Sequence, residues 1–303
     1  MSGKNSDALV QSVHHRLINY AHQRKEDPNL IFIRYGMERF LYRLSCSAHC
    51  DRFILKGAML FALWTDQIRR PTRDLDFLGM GDASDEGLLQ TFRDVLLTEV
   101  EPDGLAFNHE NLTISDIREG QEYSGKRMKI PAKLGGTVLK IQIDIGFGDA
   151  VTPKASRVDY PTLLDLPAPK IRVYPQETVI AEKLEAMVSL GQATSRMKDF
   201  YDLWTLSQMM MFSGAILVQA ITATFKRRHT SIPGSIPVSL TQVFAEDATK
   251  QIQWKGFLRR NGFQETQLSQ VIEDLEAFLA EPIQAAANQT AFSKSWSPNG
   301  PWI

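Results

Sequence analysis

Cysteine is nearly missing from this 303-residue chain: Cys46 and Cys50 are its only two. Their i,i+4 spacing puts both on one face of a predicted helix, so no disulfide framework is expected and the thiols read as reduced, in a cytosolic protein. With His49 between them they resemble half a zinc site, but no second Cys or His pair occurs to complete tetrahedral coordination, and they are expected as core thiols. No window approaches the roughly 18 apolar residues of a membrane helix. The first residues, Met1 to Asp7, lack the apolar core of a secretory leader. The cytoplasm is therefore the default compartment, and no membrane partner is expected. Charge of either sign is not in excess: the net value is −1 with a pI near 6.6. A global basic field is excluded, so any nucleic-acid partner must meet a local patch. Internal repeats and low-complexity tracts are also absent. What remains, 43 % hydrophobic and 23 % charged, suits a globular protein long enough for two domains or one large one.

Apolar periodicity organises the chain. Val10, Val13, Leu17 and Ala21 share one helical face over 7–26, and Asp27-Pro28 ends that helix and starts the next, with Leu30, Ile33, Met37, Phe40, Leu41 and Leu44 as its stripe. Phe53-Ile54-Leu55 predicts a short strand, Lys56-Gly57 a turn, Ala58 to Trp64 a helix start, and 74–78 a second strand. Leu88, Leu89, Phe92, Val95 and Leu96 predict a helix over 85–99. Alternation returns over 111–117, 123–130 and 137–145, the last with Leu139, Ile141, Ile143 and Ile145 on one face and Lys140, Gln142 and Asp144 on the other. Prolines at 153, 161, 167 and 169 punctuate a loop-rich stretch. Helices are predicted over 176–190, 198–211, 214–228 and 267–280, and the polar tail from Gln289 is expected to fray. The division follows as 1–165 and 166–303.

The motif that carries chemistry is Leu55-Lys56-Gly57-Ala58, followed 15 residues later by Arg73-Asp74-Leu75-Asp76-Phe77. In a strand Asp74 and Asp76 point the same way, roughly 6.5–7 Å apart at Cα, while Leu75 and Phe77 enter a core. Two such carboxylates can share hard cations, and Mg²⁺ prefers one or two carboxylates plus substrate phosphates. Gly57 suits a turn whose backbone N–H groups approach phosphate oxygens. Attack on the α-phosphorus of a triphosphate needs charge neutralisation and an activated hydroxyl, which two metals held by three carboxylates supply. Asp144 is the third carboxylate by strand alternation, with Asp149 as its competitor. Arg69, Arg70 and Arg73 either balance triphosphate charge or face solvent.

These stretches, together with Arg70-Pro71-Thr72 before the acidic pair, Ala181-Glu182-Lys183-Leu184-Glu185-Ala186 and Arg196-Met197-Lys198-Asp199-Phe200-Tyr201-Asp202-Leu203, resemble the AbiEii/AbiGii toxin family of toxin–antitoxin and phage-defence systems, in order over roughly residues 50–210. The resemblance implies an α/β (α+β) protein. It would combine a polymerase-β-type nucleotidyltransferase core built on a mixed sheet with a helical C-terminal half that closes the cleft and presents the acceptor. It also implies Mg²⁺ as two ions, an NTP substrate, an antitoxin from the adjacent gene and, as in some relatives, tRNA as acceptor. By position Gly57 matches the phosphate turn, with Lys56, Ala58 and Arg73 around it as nucleotide contacts. Asp74 and Asp76 match the acidic pair, Lys183 the lysine of the third motif and Asp199 the aspartate of the fourth, flanked by Lys198 and Asp202. Ala58 stands where the family commonly has a second glycine.

Other features carry less. The Glu182-Lys183 charges also suit a solvated helix face, and Asp199 and Asp202 suit the start of a helix. The remaining histidines show no ligand spacing and no neighbouring nucleophile, which excludes support for a catalytic triad. Met209-Met210-Met211 is expected as helix packing. Lys126-Arg127-Met128-Lys129 and Lys226-Arg227-Arg228-His229 are candidate RNA phosphate contacts or solvated faces. Transfer to a protein or small molecule, and a non-catalytic nucleotide-binding interaction module, are the alternative functions.

Overall fold

Asp27 shows how local sequence sets the helix boundaries: its carboxylate accepts from Asn29 N at 2.9 Å, and Pro28 begins the helix where a missing N–H costs nothing. The computed structural model describes residues 2–65, 72–117 and 125–303, and the chain divides into two compact units. The first comprises Met1–Gly148 and Ser156–Val173; the second comprises Asp149–Ala155 and Tyr174–Ile303. Arg69 and Arg70 lie outside the described residues, as do the first two positions of the predicted strand 123–130.

The first unit opens with helices α1 (Ser2–Arg24) and α2 (Pro28–Cys46). Strand β1 (Phe53–Lys56) runs into a single 3₁₀ turn, Gly57–Leu60, and a four-residue helix α3 (Phe61–Trp64), less helix than the sequence predicts. Strand β2 (Asp74–Gly79) and helix α4 (Asp85–Leu97) follow, the latter capped by Ser84 and carrying Asp85 and Glu86 in its first turn. Then come β3 (Leu105–Phe107), β4 (Thr113–Ile117), β5 (Gly125–Leu134), β6 (Thr137–Phe147), β7 (Ser156–Asp159) and β8 (Lys170–Val173). They form one mixed eight-stranded sheet in the order β3-β5-β6-β2-β1-β8-β7, with β4 also on β5. The β2/β6 and β1/β8 pairs are parallel; the others are antiparallel.

One face of this sheet is covered. Leu139, Ile141, Ile143 and Ile145 of β6, and Leu75 and Phe77 of β2, are buried with Phe40 of α2 and Phe92 of α4. α2 comes so close that a Cβ on Gly36 would sit 2.9 Å from Ile141 Cδ1, which is why glycine stands mid-helix there. The opposite face carries most of the polar residues of β2, β5 and β6, together with the buried pair Ile54 and Leu78.

The second unit is helical: α5 (Gln176–Leu190), α6 (Met197–Met209), a short strand β9 (Phe212–Ser213), α7 (Gly214–Arg227), α8 (Gln242–Glu246), α9 (Ala248–Asn261), α10 (Leu268–Asn288) and a short strand β10 (Ser295–Trp296). Val271, Ile272, Leu275, Phe278 and Leu279 of α10 are fully buried, as are Ile180, Leu184, Phe200, Leu203, Leu217 and Ile221 of the neighbouring helices. The polar tail does not fray. β10 pairs with β9, and Gly214 N donates to Lys294 O at 2.8 Å. The Trp296 and Trp302 indoles donate to Ser207 O and Phe278 O, and both rings are buried. Two tryptophans at this spacing bury enough surface to dock a polar segment.

Candidate active site

Strand register assembles the first cluster. Asp76 of β2 lies directly opposite Asp144 of β6, and Asp74 lies opposite Gln142. One oxygen from each of Asp74, Asp76 and Asp144 lies within 4.8 Å of the others, and all three residues are half-buried. Like charges facing each other across a strand pair are unfavourable. Here the row is bracketed by cations: Lys56 of β1 is the register partner of Asp76, and Arg127 of β5 that of Asp144. Arg127 grips Asp144 with a fork, Nε to Oδ1 at 2.8 Å and Nη2 to Oδ2 at 2.6 Å. Thr72 Oγ1 donates to Asp74 Oδ1 at 2.6 Å.

Gly57 stands against this row. Its φ is +75°, and a Cβ built there would fall 1.9 Å from Asp76 Oδ2. No other residue fits both the backbone conformation and the space. Ala58, next in the turn, is buried, and Arg73 is exposed. The half-buried oxygens form a hard donor set of the kind magnesium takes, so the residues present fit a divalent cation. Asp149, the competitor for the third carboxylate, belongs to the second unit, where its Oδ1 accepts from Arg228 Nη2 at 3.2 Å.

A second cluster lies wholly within the second unit. Lys183 of α5 donates from Nζ to Asp199 Oδ1 at 2.5 Å and to Asp202 Oδ2 at 2.9 Å, both on α6. Arg196 Nε also donates to Asp199 Oδ2. Asp199 is 1 % and Asp202 2 % exposed. Burial alone would push the Asp199 carboxyl up, but Lys183 and Arg196 outweigh it and hold the group well below the usual carboxylate range. These aspartates face a lysine rather than solvent, and Lys198 beside them is exposed.

Other expectations are corrected. Cys46 is exposed and Cys50 intermediate rather than core thiols; Cys50 Sγ lies 3.9 Å from the Arg157 guanidinium, and His49 pairs with Asp94 at 3.0 Å. Met211 is 77 % exposed beyond the end of α6. Of the basic clusters, Lys126 is paired with Asp85 and Asp116, Arg127 with Asp144, and Met128 is core. Arg228 is held by Glu182, Asp149 and Glu185. In the sequence Arg127 belongs to a run of basic residues, whereas in the fold it serves Asp144. Only the β5/β6 register reveals it, although the clean alternation of both strands was the available signal.

The profile of the family described as nucleotidyl transferase AbiEii toxin, type IV TA system, matches residues 39–281. Among solved structures, a proposed nucleotidyltransferase from H. pylori is similar with a TM-score of 0.49 at 14 % identity, over 87 % of this chain and 98 % of that one. JHP933 from Helicobacter pylori gives 0.48 at 14 % identity, over 87 % and 95 %. A search of the curated proteins finds no match.

Proposed function

The chain belongs to the nucleotidyl transferase AbiEii toxin family of type IV toxin–antitoxin systems, and from there we propose that it moves a nucleoside monophosphate from an NTP onto an RNA acceptor, tRNA above all, with release of pyrophosphate. Nucleotidyl transfer and an antitoxin partner follow from membership. We assign the antitoxin to the adjacent gene and the reaction to the cytoplasm. Among the described residues no helix is long and apolar enough to cross a membrane. The observation that carries the reading is the meeting of Asp74, Asp76 and Asp144 within 4.8 Å beside a turn with no room for a side chain.

Asp74, Asp76 and Asp144 would hold two magnesium ions, which when bound neutralise triphosphate charge and lower the pKa of the attacking hydroxyl. Arg127 fixes the orientation of Asp144 from behind. Gly57 leaves the turn backbone open to phosphate oxygens, with Lys56, Ala58 and Arg73 as further nucleotide contacts. Lys183, with Lys198 near it in sequence, takes a phosphate-binding role on family grounds. Asp199 and Asp202 are positioning residues that act through Lys183, since both are buried against it.

Pure protein incubated with Mg²⁺, α-labelled NTPs and cell extract is expected to place label in the tRNA fraction; label in protein instead would sink the RNA reading. Asp76→Asn is expected to lower transfer by at least about a hundredfold, the scale of lost metal stabilisation. The same change should relieve the growth arrest caused by the intact chain expressed without its antitoxin. Arrest that persists undiminished would mean that metal-dependent transfer is not the toxic activity.

A further inference from the structure

The open face of the sheet continues beyond the three aspartates. Along β6 the side chains on that face are Asp144, Gln142, Lys140 and Val138; along β5 they are Arg127, Lys129, Pro131 and Lys133, paired in that order by register. Lys129, Lys133 and Lys140 are exposed, and among the described residues none of their side chains has an acidic partner or a hydrogen bond. Their directly opposed partners on this face are neutral: Thr113 of β4 and Gln142 for Lys129, Pro131 for Lys140, and Ala106 of β3 and Val138 for Lys133; the carboxylates begin one step on, at Asp74 and Asp144. The contrast is with Lys126, whose side lies on the other face and which two aspartates neutralise. Lys140 is four residues from Asp144, roughly 13 Å along the strand. Three lysines without a paired carboxylate on one rigid surface give the β5 side of this face a local positive potential in a chain whose total charge is −1.

We propose that this lysine strip of β5 and β6 is the track for the backbone of a single-stranded RNA acceptor, whose reacting end lies at Asp74, Asp76 and Asp144. The inference rests on the RNA-transferase reading above and adds where the acceptor lies. No aromatic side chain occupies this face of either strand, so the strip grips phosphates and stacks no bases. Phosphate contacts position a strand without reading its sequence. The strip therefore accepts single strands of any base composition.

The test compares the full chain with the triple variant Lys129→Gln, Lys133→Gln, Lys140→Gln, using a fluorescent single-stranded oligoribonucleotide of about 12 nucleotides. Binding is followed by anisotropy between about 50 and 200 mM salt. The variant is expected to bind at least tenfold more weakly, with a slope of log affinity against log salt shallower by about 2, near 0.7 for each lost contact. Its thermal melt and its KM for NTP should be unchanged, because exposed lysines contribute little to stability. Equal binding and an equal salt slope would overturn the inference. If the unaltered chain binds the oligonucleotide through these lysines yet transfers nothing to any RNA, the transferase reading fails while the track stands.

Discussion

Gly57 holds a φ of +75° with Asp76 Oδ2 where a Cβ would be. Replacing it by alanine forces two changes at once: a left-handed backbone on a residue that resists it, at about 1–3 kcal/mol, and a displaced Asp76 carboxylate. Gly57→Ala is therefore expected to lower the melting temperature by several degrees and transfer by about a hundredfold or more, since misplacement of about 1 Å is enough. A melt and a transfer assay on the same preparation check it; activity within twofold of the parent would show that the turn does not shape the site. The need for glycine here was legible, because a lone Gly between a strand and an apolar helix start demands a turn. That its Cβ space is filled by Asp76 was not, since 19 residues separate them and only the β1/β2 register brings them together. Lys183 was likewise legible as a motif position, but its two aspartate partners emerge only from the packing of α5 on α6.

At the scale of elements, α2 carries a buried carboxylate that nothing in the proposed chemistry uses. Glu38 is 1 % exposed; its Oε2 accepts from Leu163 N at 2.7 Å, while Oε1 lies 3.6 Å from Arg39 Nη1, beyond hydrogen-bond range. Burial pushes its pKa up from 4.5 to about 7, against the pull of the Leu163 N–H and Arg39. A carboxyl raised in the folded state binds its proton more tightly there than in the unfolded chain. Its stabilisation is complete below about pH 4.5 and is lost as pH climbs through about 7. The loss is at most about 3 kcal/mol. Glu38→Gln should flatten this part of the pH–stability curve and raise stability above pH 7, measured by urea unfolding at a series of pH values. A curve that keeps its slope would show that Glu38 is ionised throughout. The elements themselves were unevenly legible. Helix 176–190 and the strand containing Leu139 to Ile145 were read closely because their apolar spacing is regular. β3, β7 and β8 escaped because they are three or four residues long and gain meaning only from distant partners. α9 escaped because just Lys250, Trp254, Phe257 and Leu258 of its 14 residues are buried, too few to make a stripe. The tail misled because composition says nothing about where Trp296 and Trp302 dock.

For the molecule as a whole, the near-zero total charge conceals local concentrations of one sign. Three carboxylates within 4.8 Å repel one another, and anything that binds them only in the folded state stabilises the first unit by mass action. A divalent cation at a hundred times its dissociation constant adds about 2.7 kcal/mol, a rise of roughly 5–10 °C in the melting of a unit of this size. Titration with MgCl₂ followed by scanning fluorimetry should show this rise. Asp76→Asn should melt higher than the parent without the salt and respond little to it; identical responses would place the cation elsewhere.

Arg127 and Lys56 have a further consequence. By standing at either end of the acidic row, fixed in register by β5 and β1, they act as the protein's own permanent counter-ions. Part of the repulsion among the three carboxylates is thus offset within the sheet itself, and the strands can pair without waiting for a bound cation.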